Sequence, residues 1–201
     1  MFALVESGSI TKMLNGRRGI TIGDIQHPQQ IFTLWTEAER NAIGIYEVTI
    51  DTSKKKDEQW YINTNITYAF SGGKVTGSYG DATAKAHADT LYTAQDETDG
   101  LGTEGEIKSE GLKTGLIRDV KAQAASELER TDWYVVRKSE ESTAIPSAIT
   151  THRRAVRSKA AAMETSITNA SDTPALETLY TYTKQEDGSV TRPLGELPKL
   201  D

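Results

Sequence analysis

Histidine, cysteine, serine and paired carboxylates carry most protein chemistry, and their placement in this chain argues against catalysis. The three histidines, His27, His87 and His152, are far apart. None stands in an H-x-x-x-H pair, the spacing that sets two imidazoles on one helix face around zinc. Cysteine is absent, which excludes disulfides, thiolate metal sites and thiol nucleophiles. No Gly-x-Ser-x-Gly run exists to present a serine at a strand-to-helix elbow. Gly72-Gly73-Lys74 follows a strand-like run but lacks the G-x-x-x-x-G-K-[ST] spacing that cradles phosphate, and reads as a tight hairpin turn. Asp96 to Glu106 is acidic and Gly-rich, yet its carboxylates do not follow the spacing of a helix-loop-helix calcium site. The expectation is a non-enzyme with no catalytic residue, no cofactor and no metal site.

The charged residues whose spacing carries information are Arg153 and Arg157, four apart and therefore on one helix face. Asp132, next to Trp133, could reach one of these guanidiniums if the flanking helices are antiparallel. Leu116, Ile117, Val120, Ala124 and Leu128 recur at helical steps upstream, and Ile149, His152, Val156, Ala160, Met163 and Ile167 downstream. This predicts a helical hairpin over about 110–168, with Thr131 to Arg137 as its elbow and Lys138 to Thr143 as a polar loop. Pro146 suits the first turn of the second helix, where its missing N–H is no loss. Trp133, the largest apolar group near the elbow, is expected to be packed and to close the open end of the pair. His152 lies on the apolar stripe and reads as a packed, hydrogen-bonded side chain. The cluster His152-Arg153-Arg154 with Arg157 and Lys159 reads as a solvated helix face.

This order of features also resembles a known module. A helix, then Thr131-Asp132-Trp133, a loop with a late Ile145-Pro146, then Arg153, Val156 and Arg157 on a second helix, is similar to the C-terminal module of bacteriophage tail-fibre assembly and tail assembly chaperone proteins. His152 stands where that family usually has Tyr, and its common final Trp-Pro is missing. The likeness covers about residues 112–165. It implies a role beside tail fibres or the baseplate, either as a structural adaptor or as a chaperone of fibre folding. It also implies partners among other phage tail proteins, several copies in a symmetric assembly, and location in the virion tail after assembly in the host cytoplasm. Asp132, Trp133, Arg153 and Arg157 are the residues it marks as structural elbow or partner contact.

Composition fits a protein that completes its packing on neighbours. A hydrophobic content of 36% and a mean hydropathy of −0.52 are lean for one compact core. No apolar run approaches the ~18 residues of a membrane span, and Met1 to Glu6 lacks the basic region of a signal peptide. A net charge of −6 argues against nucleic acid as a partner.

Along the chain, Phe2 to Val5 and Ser9 to Met13 flank Glu6-Ser7-Gly8 as an opening hairpin. Ile20 to Ile22 alternates as a short strand. Thr36 and Glu39 have capping-box spacing for a short helix that Gly44 ends, and Ile45 to Ile50 reads as a strand. Trp60 to Phe70 alternates so regularly that it is expected to be one long strand, turned back at Ser71-Gly72-Gly73-Lys74 into Val75 to Tyr79. Tyr180 to Thr191 predicts a last hairpin with Asp187-Gly188 as its turn, and Leu194 to Asp201 an extended tail. The expected fold is α+β: a small antiparallel β-rich lobe over 1–94, an acidic Gly-rich linker over 95–106, and a helical-hairpin domain with a terminal β-hairpin over 107–201.

Overall fold

The computed structural model describes residues 1–200. The fold is α+β, with a curled sheet first and helices after it. The chain forms two compact units, Met1–Thr83 and Ala84–Asp201.

The first unit is built on β1 (Phe2–Glu6), β2 (Ser9–Leu14), β3 (Ile20–Ile22), β4 (Ile25–His27), β5 (Ile45–Asp51), β6 (Tyr61–Ile62), β7 (Thr67–Ser71) and β8 (Lys74–Ser78). Five of them make a sheet in the order β2-β1-β5-β8-β7. The β1–β2 and β7–β8 hairpins are antiparallel, with Glu6 opposite Ser9 and Ser71 opposite Lys74. Their two-residue turns, Ser7-Gly8 and Gly72-Gly73, both have φ positive at each position. Such turns match the right-handed twist of the strands. The expected antiparallel sheet is corrected at its centre, where β5 and β8 run parallel, Val48 opposite Val75. The residues between these two strands supply the long crossover that parallel pairing demands.

Strand β1 is buried on both faces of the sheet, which accounts for its unbroken apolar run. Leu4 and Ile45 pack on one face with Ile20, Ile31 and Phe32, under the short helix α1 (Ile31–Leu34). Ala3, Val5 and Val75 pack on the other, with Tyr46, Val48 and Phe70. The sheet curls, bringing its edge strands β2 and β7 close together. Helix α2 (Glu37–Ala42) begins with the expected capping box: Glu39 N–H donates to Thr36 Oγ1, and Thr36 N–H donates to Glu39 Oε2 at 2.8 Å. Gly44 has φ +81 and lies so close to β1 that an added Cβ would sit 2.6 Å from Val5 O. Only glycine meets both demands there.

The expected strand over Trp60 to Phe70 is not continuous. Asn63 turns its amide to the backbone of Lys56, donating to Lys56 O at 2.8 Å and accepting from Lys56 N–H at 2.9 Å. Thr64 Oγ1 accepts from Gly80 N–H at 2.6 Å. These side-chain bonds replace ladder bonds. Trp60 and Tyr61 are both buried while Ile62 is exposed, so the alternation breaks as well. A two-residue strand, β9 (Thr83–Ala84), lies at the boundary of the units.

The second unit opens with a hairpin, β10 (Thr90–Leu91) with β11 (Ile107–Ser109), enclosing α3 (Ala94–Thr98). The residues expected as a linker, 95–106, therefore lie inside this unit as a shaped loop. Helix α4 (Leu112–Glu129) and helix α6 (Ser147–Asn169) form the expected antiparallel pair. Lys113 Nζ donates to Thr168 O at 2.8 Å near one end, and Lys121 meets Glu164 at 3.5 Å. Arg153 reaches Leu128 O at 2.8 Å at the other end. The downstream stripe is buried as its period requires: Ile149, His152, Val156, Ala160, Met163 and Ile167. Not expected from the sequence is a third helix, α5 (Asp132–Glu141), which occupies both the elbow and most of the polar loop. Helix α7 (Thr173–Tyr180) and the hairpin β12 (Thr183–Lys184) with β13 (Val190–Thr191) follow, the latter where Asp187-Gly188 predicts it. The tail is tied down at its start, since Leu194 is 2% exposed and its carbonyl accepts from Lys159 Nζ at 2.8 Å.

Candidate interaction site

The junction of α4, α5 and α6 is held by one buried guanidinium. Arg153 Nη1 lies 2.8 Å from Leu128 O, 2.7 Å from Thr131 Oγ1 and 2.8 Å from Asp132 Oδ1. Leu128 O also accepts from Thr131 N–H at 3.0 Å and from the Thr131 hydroxyl at 2.9 Å. The last carbonyls of a helix lack intrahelical partners, and a cation there is favoured by the helix dipole. Asp132 sits at the first position of α5, where the opposite end of a dipole favours an anion. One arginine thus serves the end of one helix and the start of the next. Arg153 and Thr131 are 8% and 1% exposed, whereas the Asp132 side chain remains 56% exposed.

The structure brings the expected Asp132–Arg153 pair together. It corrects the reading of Arg153 as part of a solvated face, because its head group is consumed by α4 and α5. It also corrects Trp133, which is 50% exposed. Within a helix, Asp132 and Val135 are three apart and share the face turned to α6, so Trp133 and Val136 point elsewhere. Trp133 rests on its own helix instead, with its ring 3.8 Å from that of Tyr134 and the Arg137 guanidinium 4.7 Å from its centroid. Trp133→Ala is therefore expected to cost about 1 kcal/mol or less, the worth of an exposed cation–π contact, and not the ~3–5 kcal/mol of a core aromatic. Denaturant unfolding of the two proteins checks this.

Arg157 does not join Asp132. It is exposed and, with Arg153, Arg154, Val135 and Ile145, lines a concavity of about 410 Å³ between α5 and α6. This groove has an apolar floor and a basic rim, and it is not legible in the sequence because Val135 falls in the stretch expected as an elbow. His152 is packed, 8% exposed, but its Nε2 finds no hydrogen-bond partner among the described residues, contrary to expectation.

His27 stacks edge-on against Trp35 at 5.9 Å in the first unit, while in the second His87 lies between β9 and β10 and His152 on α6. No group of three or more histidines and carboxylates placed to hold a metal occurs among the described residues. No helix among them is long and apolar enough to cross a membrane.

The acidic loop 96–106 is organised around Asp96. Its carboxylate is drawn down to about 2 by the Lys108 ammonium at 2.6 Å and by the N–H and hydroxyl of Thr93. The folded value lies below the ordinary one, so this contribution is complete above pH ~4 and is lost as pH falls through about 2. The NMR amide signals of Leu101 and Gly105, bonded to Asp96 O and Tyr92 O, are expected to hold position down to pH ~4 and to shift below it. In Asp96→Asn they should be shifted already at neutral pH.

No protein-family model matches the chain, and no curated protein or solved structure matches it either.

Proposed function

We propose that this chain is a non-catalytic bacteriophage tail protein that joins fibre or baseplate components. The observation carrying this reading is the ordered set Thr131-Asp132-Trp133, Ile145-Pro146, Arg153, Val156 and Arg157, similar to the tail-fibre assembly module, together with the use those residues are put to. Arg153 fixes α5 against α4 and α6, and α5 carries Trp133 and Val136 outward at 50% and 52% exposure. A rigidly mounted helix with an exposed aromatic is suited to contact another protein, because tryptophan anchors are common binding hot spots. Asp132 and Arg153 position that helix, Trp133 makes the contact, and Arg157 lies on the neighbouring rim. The partners are other tail proteins, met in several copies around the tail axis, with assembly in the host cytoplasm.

Mass spectrometry of purified virions tests the proposal. A structural adaptor is present at fixed stoichiometry to tail proteins, and Trp133→Ala lowers its incorporation without unfolding it. Absence from virions, with crosslinking to the fibre protein in infected cells, would assign the chain to the assembly chaperones instead. Absence from virions without such crosslinks would sink both.

A further inference from the structure

The groove between α5 and α6 has a matching surface elsewhere on the same molecule. Arg154 and Arg157 on its rim are exposed and have no acidic partner among the described residues, while Val135 and Ile145 form its floor. The loop inside the β10–β11 hairpin has the opposite character. Between Asp96 and Glu106 it holds Asp96, Glu97, Asp99, Glu104 and Glu106 and no basic residue. At its tip Leu101 is 60% exposed among those carboxylates.

We propose that the occupant of the groove is the acidic loop of a second copy of this chain, with Leu101 seated on Val135 and Ile145 and the Glu104 and Glu106 carboxylates against Arg154 and Arg157. A cavity of about 410 Å³ is within the usual range for sites that take a side chain and its flanks. The loop is pre-shaped for this. Leu101 N–H donates to Asp96 O at 2.9 Å and Gly105 N–H to Tyr92 O at 3.0 Å, so little ordering remains to oppose docking.

The loop cannot serve its own groove. It joins the chain through Gly111 at the start of α4, whereas the groove lies by the other end of that helix, where Arg153 reaches Leu128 O. Eighteen helical residues separate the two ends by about 27 Å, and no residue of the loop lines the concavity. The contact joins two different surfaces and is therefore heterologous. It propagates head to tail, closing a ring if the rotation per copy allows and otherwise running on as a filament.

Sedimentation of the full chain over a wide concentration range, at low and high salt, tests this without any tail component, so its outcome is separate from that of the virion experiment. Concentration-dependent oligomers that weaken as salt rises are expected, since rim charges are screened. Arg154→Glu with Arg157→Glu, and Glu104→Lys with Glu106→Lys, should each weaken association by about tenfold or more, because like charges then face one another. Mixing the two variants should restore it, since each then offers the surface the other lacks. Leu101→Ser should weaken association at high salt as well as at low. All these positions are exposed, and unchanged circular dichroism and melting establish that the fold is intact. A wild-type chain that stays monomeric throughout, or oligomers that survive both charge reversals undiminished, overturns the proposal.

Discussion

Arg153→Ala lowers the unfolding free energy of the helical unit by about 2–4 kcal/mol. The guanidinium supplies hydrogen bonds to Leu128 O and Thr131 Oγ1, and alanine leaves both acceptors without it at a junction where Thr131 is 1% exposed. Hydrogen bonds to a charged group are each worth about 1.5–3 kcal/mol, and part of that loss is recovered if the junction opens to water. Asp132→Asn is the paired control. Its side chain is 56% exposed, so removing its charge costs only the ~0–1 kcal/mol of a surface ion pair. Arg153→Lys falls between the two, because an ammonium keeps the charge but loses the planar array of donors. Denaturant unfolding followed by helical circular dichroism ranks the three. An Arg153→Ala protein within about 0.5 kcal/mol of wild type, as surface changes usually are, would mean that α5 is held by something other than this arginine.

Gly111→Ala is expected to be as damaging, by about 2–4 kcal/mol, at a residue with no side chain to lose. A Cβ there would lie 2.3 Å from the carbonyl carbon and oxygen of Ala88 and 2.8 Å from Asp89 N. These are backbone atoms that cannot rotate aside, so the strain must move the β10–β11 hairpin relative to α4. Overpacking of rigid surroundings costs about 1–3 kcal/mol, and more where neighbours are lost with it. The neighbours are specific. Gly111 N–H donates to Asp89 Oδ1 at 2.7 Å, and the Thr114 hydroxyl lies 2.7 and 2.8 Å from the two oxygens of the same carboxylate. These bonds hold the Asp89 carboxyl below its usual range, the Thr114 hydroxyl contributing most and the Gly111 N–H next. Hydrogen exchange is the discriminating measurement. The Leu112 and Lys113 amides, bonded to Ala86 O and His87 O, should lose protection in the variant, while those in the middle of α6 change least. Equal loss across both helices would show that the hairpin and the helix pair unfold as one.

How much of this could be read from the residues depends on how far apart the deciding atoms lie in the chain. Features closed within a few residues were legible. The Thr36–Glu39 capping box, the hairpins turning at Ser7-Gly8 and Gly72-Gly73, and the Asp187-Gly188 turn are each specified by local sterics and hydrogen bonding. The stripe from Ile149 to Ile167 was legible because a buried helix face repeats every three or four residues. The same periodicity says nothing about what stands across from a face. Arg153 lies on the rim of that stripe and is buried only because the end of α4 and the start of α5 present a carbonyl, a hydroxyl and a carboxylate to it. The size of Trp133 suggests a core position, yet the helical turn starting at Asp132 carries it outward.

The tertiary structure overrode local pattern elsewhere for the same reason. The alternation from Trp60 to Phe70 fits a strand, but Asn63 and Thr64 bind the backbones of Lys56 and Gly80, seven and sixteen residues away. The parallel pairing of β5 with β8 follows from a crossover of more than twenty residues, which no short window contains. The acidic run 95–106 has the composition of a linker, yet Lys108, Thr93 and the β10–β11 ladder shape it into a loop. The sequence by itself determined the capped start of α2, the glycine turns of the hairpins and the buried stripe of α6, because those are short-range steric and hydrogen-bonding preferences. Only the tertiary structure decided which charged groups are buried and which apolar ones stay exposed, because burial depends on the facing surface, supplied by residues distant in the chain.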